Sequence, residues 1–588
     1  MGGYKVKNKN LLIIAMMAGL CAIPLSGCEK SSDTRTNLCE YLSFDGSNGF
    51  AATVLQDEAV PYKAWIREDG SIFVDIEMLQ EYIDDRFYYD RKENLLLFTD
   101  ASHTITSYVG ENQFIERTEK QTVDYTISIL EGDICYINME YVKKFCEMNY
   151  KLFDSVGNKP ARLVISDYKD MKYTEAKAKK RNMMRVDMDT MSDIVVEIDK
   201  GEALRVYDEE GDWYRAETED GFTGYVQKKY NNAGKAVSVK VGNDEDTYTH
   251  TEFDGKVKLV WHQVTNYTAN DTLSSATADM AGVNVISPTW YTMSDSKGNI
   301  DDLSSSNYVK KAHNMGCQVW ALVDDFSTDS DGNRYSDKVL TSTTLREEFE
   351  NNLISSVLAC GADGINLDFE YVPKENEDDF HQFLREMSIK CKENSLIFSI
   401  DDYVPTEWSV YYDLKQQGKL ADFVIVMSYD EYNANSESAG PVASLPFVKK
   451  AISDTVELVG DANRVVMGIP FYTRVWTETP EEYAESGAKI IEDNVNGNYA
   501  LGSKAVSMDT AKEICKEAKV KPEWNEETGT DYAYIEKEHG NTQIWLENAT
   551  SIQKKIDVAN EYGIGGCACW KLGLESKDIW DIIDNYGR

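Results

Sequence analysis

The chain has 588 residues, a formal charge of −40 and a pI near 4.6. That length exceeds one ordinary domain, and 42% hydrophobic with 11% aromatic residues suits folded, core-forming protein rather than disorder. So acidic a surface repels phosphate backbones and anionic lipids, which argues against nucleic acid as a partner.

The first elements read as an export signal. MGGYKVKNKN is basic, LLIIAMMAGLCAIPL is apolar, and SGC supplies small residues before Cys28. The apolar run is short for a membrane span. Leu25-Ser26-Gly27-Cys28 resembles the bacterial lipoprotein box, which implies removal of residues 1–27 and lipidation of Cys28. The expected location is the extracellular face of the bacterial cytoplasmic membrane, wall-associated, with the lipid anchor as the sole membrane contact. Plain secretion with cleavage nearby is the alternative. Residues 28–40 form a polar tether.

Residues 41–168 carry a weak internal repeat: FVDIEMLQEY at 73–82 and YINMEYVKKF at 136–145 each suggest a strand end followed by an amphipathic helix. This α+β duplication resembles the N-terminal domain of copper amine oxidases, without a copper-ligand cluster, so a structural or wall-binding role is expected. Residues 180–232 show short alternating strands with turns, a small β-barrel pattern. Trp213 and the Gly221–Tyr225 ending resemble a bacterial SH3 domain, which implies binding of wall material; a spacer is the alternative. Of eleven cysteines, Cys21 and Cys28 belong to the signal, and the rest follow no disulfide framework. They read as small buried hydrophobes. Six dispersed histidines give a metal site no support.

From 255 to 588, eight apolar β-type runs alternate with helical stretches: KLVWHQV, VNVISPTW, QVWALVDD, DGINLDFEYV, LIFSIDDY, DFVIVMSYD, RVVMGIPFY and GGCACWKL. Eight strand-helix pairs predict an α/β fold, a closed (β/α)8 TIM barrel. The surplus, residues 477–545, predicts an α+β insertion after the seventh strand, walling one side of the cleft. STDSDGN at 327–333 lacks the first aspartate and closing glutamate of a calcium loop and reads as a solvated loop.

The fourth run, ADGINLDFEYV, is the most informative. Alternate strand positions share a face, so Asn366, Asp368 and Glu370 line one side while Ile365, Leu367 and Phe369 make the other apolar. Burial of the apolar side aims the polar groups into the barrel mouth, where such enzymes place chemistry. Two close acids split their ionisation and supply a proton donor beside an anion. Asp401 and Asp402 end the fifth run, and only one should point inward.

These residues resemble glycoside hydrolase family 18, whose fourth strand carries D-x-x-D-x-D-x-E; here it is Asp363-Gly-Ile-Asn366-Leu-Asp368-Phe-Glu370. The resemblance implies Glu370 as general acid, Asp368 as the group orienting the substrate acetamido, and catalytic Tyr429 from MSYD. It also implies Asn366, Asp430 and Trp570 as substrate-binding residues. Catalysis would be retaining and substrate-assisted, with no cofactor and no metal. Asn366 departs from the pattern. An N-x-D-x-E strand, with WHQV at 261–264 and WLENATSIQKKI at 545–556, resembles the branch of spore-cortex and peptidoglycan N-acetylglucosaminidases. The implied partner is an N-acetylglucosamine-containing polysaccharide, peptidoglycan or chitin-type; a chitinase and a non-catalytic glycan-binding lectin are the alternatives. Neutral Asn366 passes no proton to Asp368, so Asp368 is expected to stay anionic.

Overall fold

The computed structural model describes residues 31–166, 169–240, 248–493 and 497–587. The signal segment and Cys28 lie outside the described residues. Among those residues, no helix is long and apolar enough to cross a membrane.

The chain forms two compact units, one drawn from residues up to 72 and from 147–242, the other from 73–146 and 243–588. The first holds a seven-stranded antiparallel sheet built from Met171–Ala178, Asn182–Arg185, Ile194–Ile198, Ala203–Glu210, Trp213–Thr218, Thr223–Gln227 and Asn231–Val239. Its alternation buries Val196, Ile198, Leu204, Val206, Ala216 and Val226 in one core. Trp213 stays half-buried at the start of its strand.

The second unit is dominated by eight parallel strands: β1 (Val257–His262), β2 (Val285–Met293), β3 (Gln318–Asp324), β4 (Gly364–Asp368), β5 (Ile397–Asp402), β6 (Phe423–Val426), β7 (Val465–Pro470) and β8 (Gly566–Trp570). Each pairs with its sequence neighbour except that β7 and β1 both pair β8, and β1 also pairs β2, so the sheet closes. The period of two sorts side chains into two cores. Leu259, Trp261, Leu322, Ile425, Val466 and Ala568 fill the barrel interior. Ile365, Leu367, Phe369, Val319, Val323 and Ile400 face outward into the strand–helix layer.

The insertion is an α+β unit, as its sequence predicts, but it starts at Tyr472 rather than 477. Strands Tyr472–Pro480, Ile490–Ile491, Tyr499–Ser507, Glu523–Asn525, Thr530–Lys537 and Gly540–Leu546 form one sheet. The helix Met508–Glu517 packs Ala511 and Cys515 against Ala533, Ile535 and Ile544 of that sheet. RVVMGIPFY thus runs through the end of β7 directly into a second strand.

The repeat seen in the sequence appears as two strand–helix pairs, Ile72–Asp75 with Ile76–Tyr82 and Ile134–Asn138 with Met139–Phe145. Asp75 and Asn138 cap the two helices at equivalent positions, accepting from the backbone N–H of Glu77 and Glu140. Between them, a five-stranded meander (residues 87–122) docks on the barrel helices α1 (Thr343–Cys360) and α2 (Glu377–Glu393). Asp90 accepts from the Thr343 N–H at 2.6 Å and Glu93 from the Thr344 N–H at 2.9 Å, placing two carboxylates at the amino end of α1. Gln382 of α2 donates to Thr99 at 2.8 Å. Residues 73–146 therefore group in space with the barrel, a division different from the sequence segment 41–168.

Candidate active site

The acids gather at the carboxyl ends of β3, β4 and β5, as strand order and parallel register require. Asp324 lies opposite Asp368 in the β3–β4 register, and Asn366 opposite Ser399 in β4–β5. The strand itself ends at Asp368, so Glu370 sits one step above the barrel rim, half-buried. Asp363, the first acid of the motif, lies at the other end of the strand. It accepts from the Val319 N–H at 2.7 Å and meets His313 at 2.8 Å, a structural tie remote from the mouth.

Asn366 is fully buried, and both ends of its amide are used. Its Oδ1 accepts from Trp261 Nε1 at 2.8 Å and Ser287 Oγ at 2.9 Å. Its Nδ2 donates to Ser399 Oγ at 3.2 Å and Asp401 Oδ1 at 2.7 Å. The expectation that Asn366 touches substrate is corrected: it has no free surface and instead fixes Asp401 from below. Asp401 is thus the inward member of its pair. Asp402 turns outward, where Gln417 Nε2 and the Tyr403 N–H satisfy it at 2.5 and 2.6 Å.

Asp368 differs from its neighbours. It is 6% exposed, and its Oδ1 has no hydrogen-bond partner among the described residues. Burial, then the charges of Asp401, Glu370, Asp324 and Asp325, push its carboxyl well above the usual range. These four acids and burial work against the anion expected at Asp368 from the neutrality of Asn366. Burial also raises Asp401 well above the ordinary value, against the hydrogen bond from Asn366.

Glu370 is held by its neighbours. Tyr403 Oη donates to Glu370 Oε2 at 3.0 Å and lies 2.9 Å from the Glu370 carbonyl. Burial raises the Glu370 carboxyl, the Tyr403 bond opposes this, and Asp430 and Asp324 add to the rise. Beneath it, Asp325 is 1% exposed and accepts from the Glu370 N–H at 3.1 Å and the Tyr371 N–H at 3.2 Å. Burial lifts Asp325 to about 7.

Across the mouth stand the residues from β6 to β8. Tyr429 follows β6, half-buried, with its ring 6.4 Å from Tyr472. Gly468 makes room for it, since a Cβ there would lie 3.0 Å from Tyr429 Cε1 and 2.8 Å from the Val426 carbonyl. Asp430 is exposed with φ +57°, a left-handed conformation that aspartate tolerates better than most residues. Tyr472 Oη donates to Asp430 at 2.6 Å. Trp570, at the end of β8, is half-buried and meets Trp261 edge-on at 5.7 Å. The structure thus brings Asp368, Glu370, Tyr429, Asp430 and Trp570 around one opening. Sequence reasoning missed Asp325, Tyr403 and Tyr472, whose roles depend on loop paths; only Asp401 carried a signal, as one of two adjacent acids.

A raised carboxyl at the rim over a buried one, at the mouth of a parallel barrel and faced by aromatic rings, fits a glycoside hydrolase. Residues 274–575 match the family Glycosyl hydrolases family 18, and the chain belongs to it. Residues 184–231 match Bacterial SH3 domain. Among curated relatives, "Uncharacterized glycosylase YvbX" of Bacillus subtilis (strain 168) is 28% identical over 54% of this chain and 89% of its own length. "Cortical fragment-lytic enzyme" of the same organism is 24% identical over 44% of this chain and 58% of its own length, so little more than half of that enzyme is spanned. The spore cortex-lytic enzyme SleL of Bacillus megaterium QM B1551 superposes with a TM-score of 0.47 at 19% identity, over 57% of this chain and 74% of the other.

Proposed function

We propose that the chain cleaves β-1,4 bonds on the reducing side of N-acetylglucosamine in peptidoglycan, with retention of configuration and with the substrate acetamido as nucleophile. The observation that carries this reading is the pairing of Glu370 with Asp368. Glu370 sits at the rim with a raised carboxyl, suited to protonate the glycosidic oxygen. Asp368 lies deeper, with one carboxyl oxygen lacking any partner among the described residues, suited to accept the acetamido N–H and, as charge develops, to stabilise the oxazolinium cation. Burial raises both Asp368 and Asp401, and positive charge building beside them favours the anionic form of Asp368. Tyr429 and Asp430 face that acetamido, and Trp570 underlies the distorted sugar.

The name of the cortical fragment-lytic relative and the SH3-type segment favour a wall glycan over chitin. The lipoprotein box at Cys28 supports an anchored enzyme on the extracellular face of the membrane. The test is mass spectrometry of wall digested by the enzyme and then reduced with borohydride. Reduced N-acetylglucosamine ends are expected; muramitol ends alone would make it a muramidase and defeat the reading. Cleavage of N-acetylglucosamine oligomers without any new wall ends would favour a chitinase.

A further inference from the structure

Next to Glu370, the mouth carries an exposed aromatic lip with a cation, Arg334, stacked on it. Phe326 is 43% exposed, Tyr371 48% and Trp408 57%. Their order is set by contact. Trp408 meets Tyr403 edge-on at 4.7 Å, and Tyr403 is the hydroxyl bonded to Glu370. Tyr371 follows Glu370 in the chain and packs edge-on to Phe326 at 5.6 Å. The Arg334 guanidinium lies 3.6 Å from the centre of the Tyr371 ring, and its Nη1 donates to the Phe326 carbonyl.

Acidic residues outnumber basic ones, 101 to 61, and Arg346, Arg385, Arg464 and Arg474 of the same unit each pair with an acid, yet Arg334 makes no side-chain ion pair among the described residues. It is instead held by ring stacking and backbone carbonyls, which fix its plane and leave donors for another group. Its charge reaches Glu370, Asp324 and Asp325 but is neutralised by none of them at contact distance.

A general acid donates to the leaving oxygen, so the leaving sugar sits against the residues flanking that acid. From this geometry we infer that Phe326, Tyr371, Trp408 and Arg334 form the leaving-group subsite, and that Arg334 selects a leaving sugar bearing a carboxylate, such as a lactyl-substituted hexosamine. The inference rests on the reading of Glu370 as proton donor and adds the charge of the neighbouring sugar. Aromatic faces cover the sugar ring, and the guanidinium pairs with the acid without displacing an existing partner.

The experiment compares kcat/KM on peptide-free wall glycan whose carboxyls are free with the same glycan after methylamidation. The ratio, free over amidated, is expected to exceed one in the wild type. It should fall about ten- to hundredfold in Arg334→Gln, the loss of a charge-assisted pair, while Arg334→Lys keeps part of it. Higher salt should lower the wild-type ratio. A ratio of one in the wild type, or one unchanged in Arg334→Gln, overturns the inference. If wall glycan is not cut at all, the wall reading fails separately. The same ratio is then taken on N-acetylglucosamine oligomers with reducing ends oxidised to the acid or reduced to the alcohol. There too, a ratio above one that falls in Arg334→Gln supports the subsite, and a ratio of one or an unchanged ratio overturns it.

Discussion

On the outer layer of the barrel, Arg346 is fully buried, and its donors reach Glu386 at 2.8 and 3.2 Å, Tyr88 at 3.2 Å, Thr343 at 3.1 Å and the Leu340 carbonyl at 2.6 Å. Burial works against the Glu386 carboxylate, but Arg346 holds it below its ordinary value. At the mouth, Asp325, Asp368, Asp401 and Glu370 are buried or half-buried with no cation in contact among the described residues, and burial pushes every one upward. Both regions bury acids; only the first sets cations against them, Arg346 on Glu386 and Lys390 at 3.7 Å from Glu350. Burial and Glu386 nevertheless hold the Glu350 carboxyl well above the usual range. The compensated cluster holds structure, tying the 87–122 meander to α1 and α2 through Tyr88 and Arg346. The uncompensated one favours the protonated forms of its carboxyls, which costs stability and supplies chemistry.

The sharpest test of that division is Glu370→Gln, which keeps shape but removes the transferable proton. Turnover should fall by about three orders of magnitude or more with glycan affinity nearly unchanged. Near-normal turnover by the pure variant would erase the functional half of the comparison.

Arg346→Met should do the reverse. With Glu386 stranded, the fold should lose about 3–5 kcal/mol in denaturant titration. A loss below about 1 kcal/mol would show that the outer cluster is not compensated as described.

A smaller effect follows from pH. Asp325 and Asp402, each near 7 when folded, bind more protons in the folded than in the unfolded chain between about pH 4 and 7. Their contribution is full below the unfolded value and lost as pH rises through 7. Buried His250 and His262, lowered to about 4, oppose this below pH 6.5. Tm should therefore fall from pH 6.5 to 8, less steeply in Asp325→Asn. Parallel curves for the two proteins would remove Asp325 from the account.

The smallest expected change is in Tyr403→Phe. Its hydroxyl opposes the rise of Glu370, so its loss should move the alkaline limb of kcat to higher pH by less than about one unit. A limb moving to lower pH would contradict the assigned bond.

Much of this was legible in the chain. Eight apolar runs marked the barrel because both faces of a parallel strand are buried, and the 366–370 alternation aimed its acids inward. Adjacent Asp401 and Asp402 carried no sign of which turns in; that depends on register with Asn366. Asp325 was silent because its partners are the backbone N–H groups of a loop 45 residues onward. The docking of 87–122 on α1 was equally silent, since Asp90 and Thr343 lie 253 residues apart. Asn366 misled most: the family resemblance marked it as a sugar ligand, while its amide is spent on Trp261, Ser287, Ser399 and Asp401.

The measurement that bears most directly on substrate assistance uses one N-acetylglucosamine oligomer in two forms, fully acetylated and de-N-acetylated, with kcat/KM taken for each. The account predicts rapid cleavage of the acetylated form and a loss of at least about a hundredfold without the acetyl group, because the nucleophile goes with it. Equal rates on the two would contradict it and point to a carboxylate of the protein as the nucleophile.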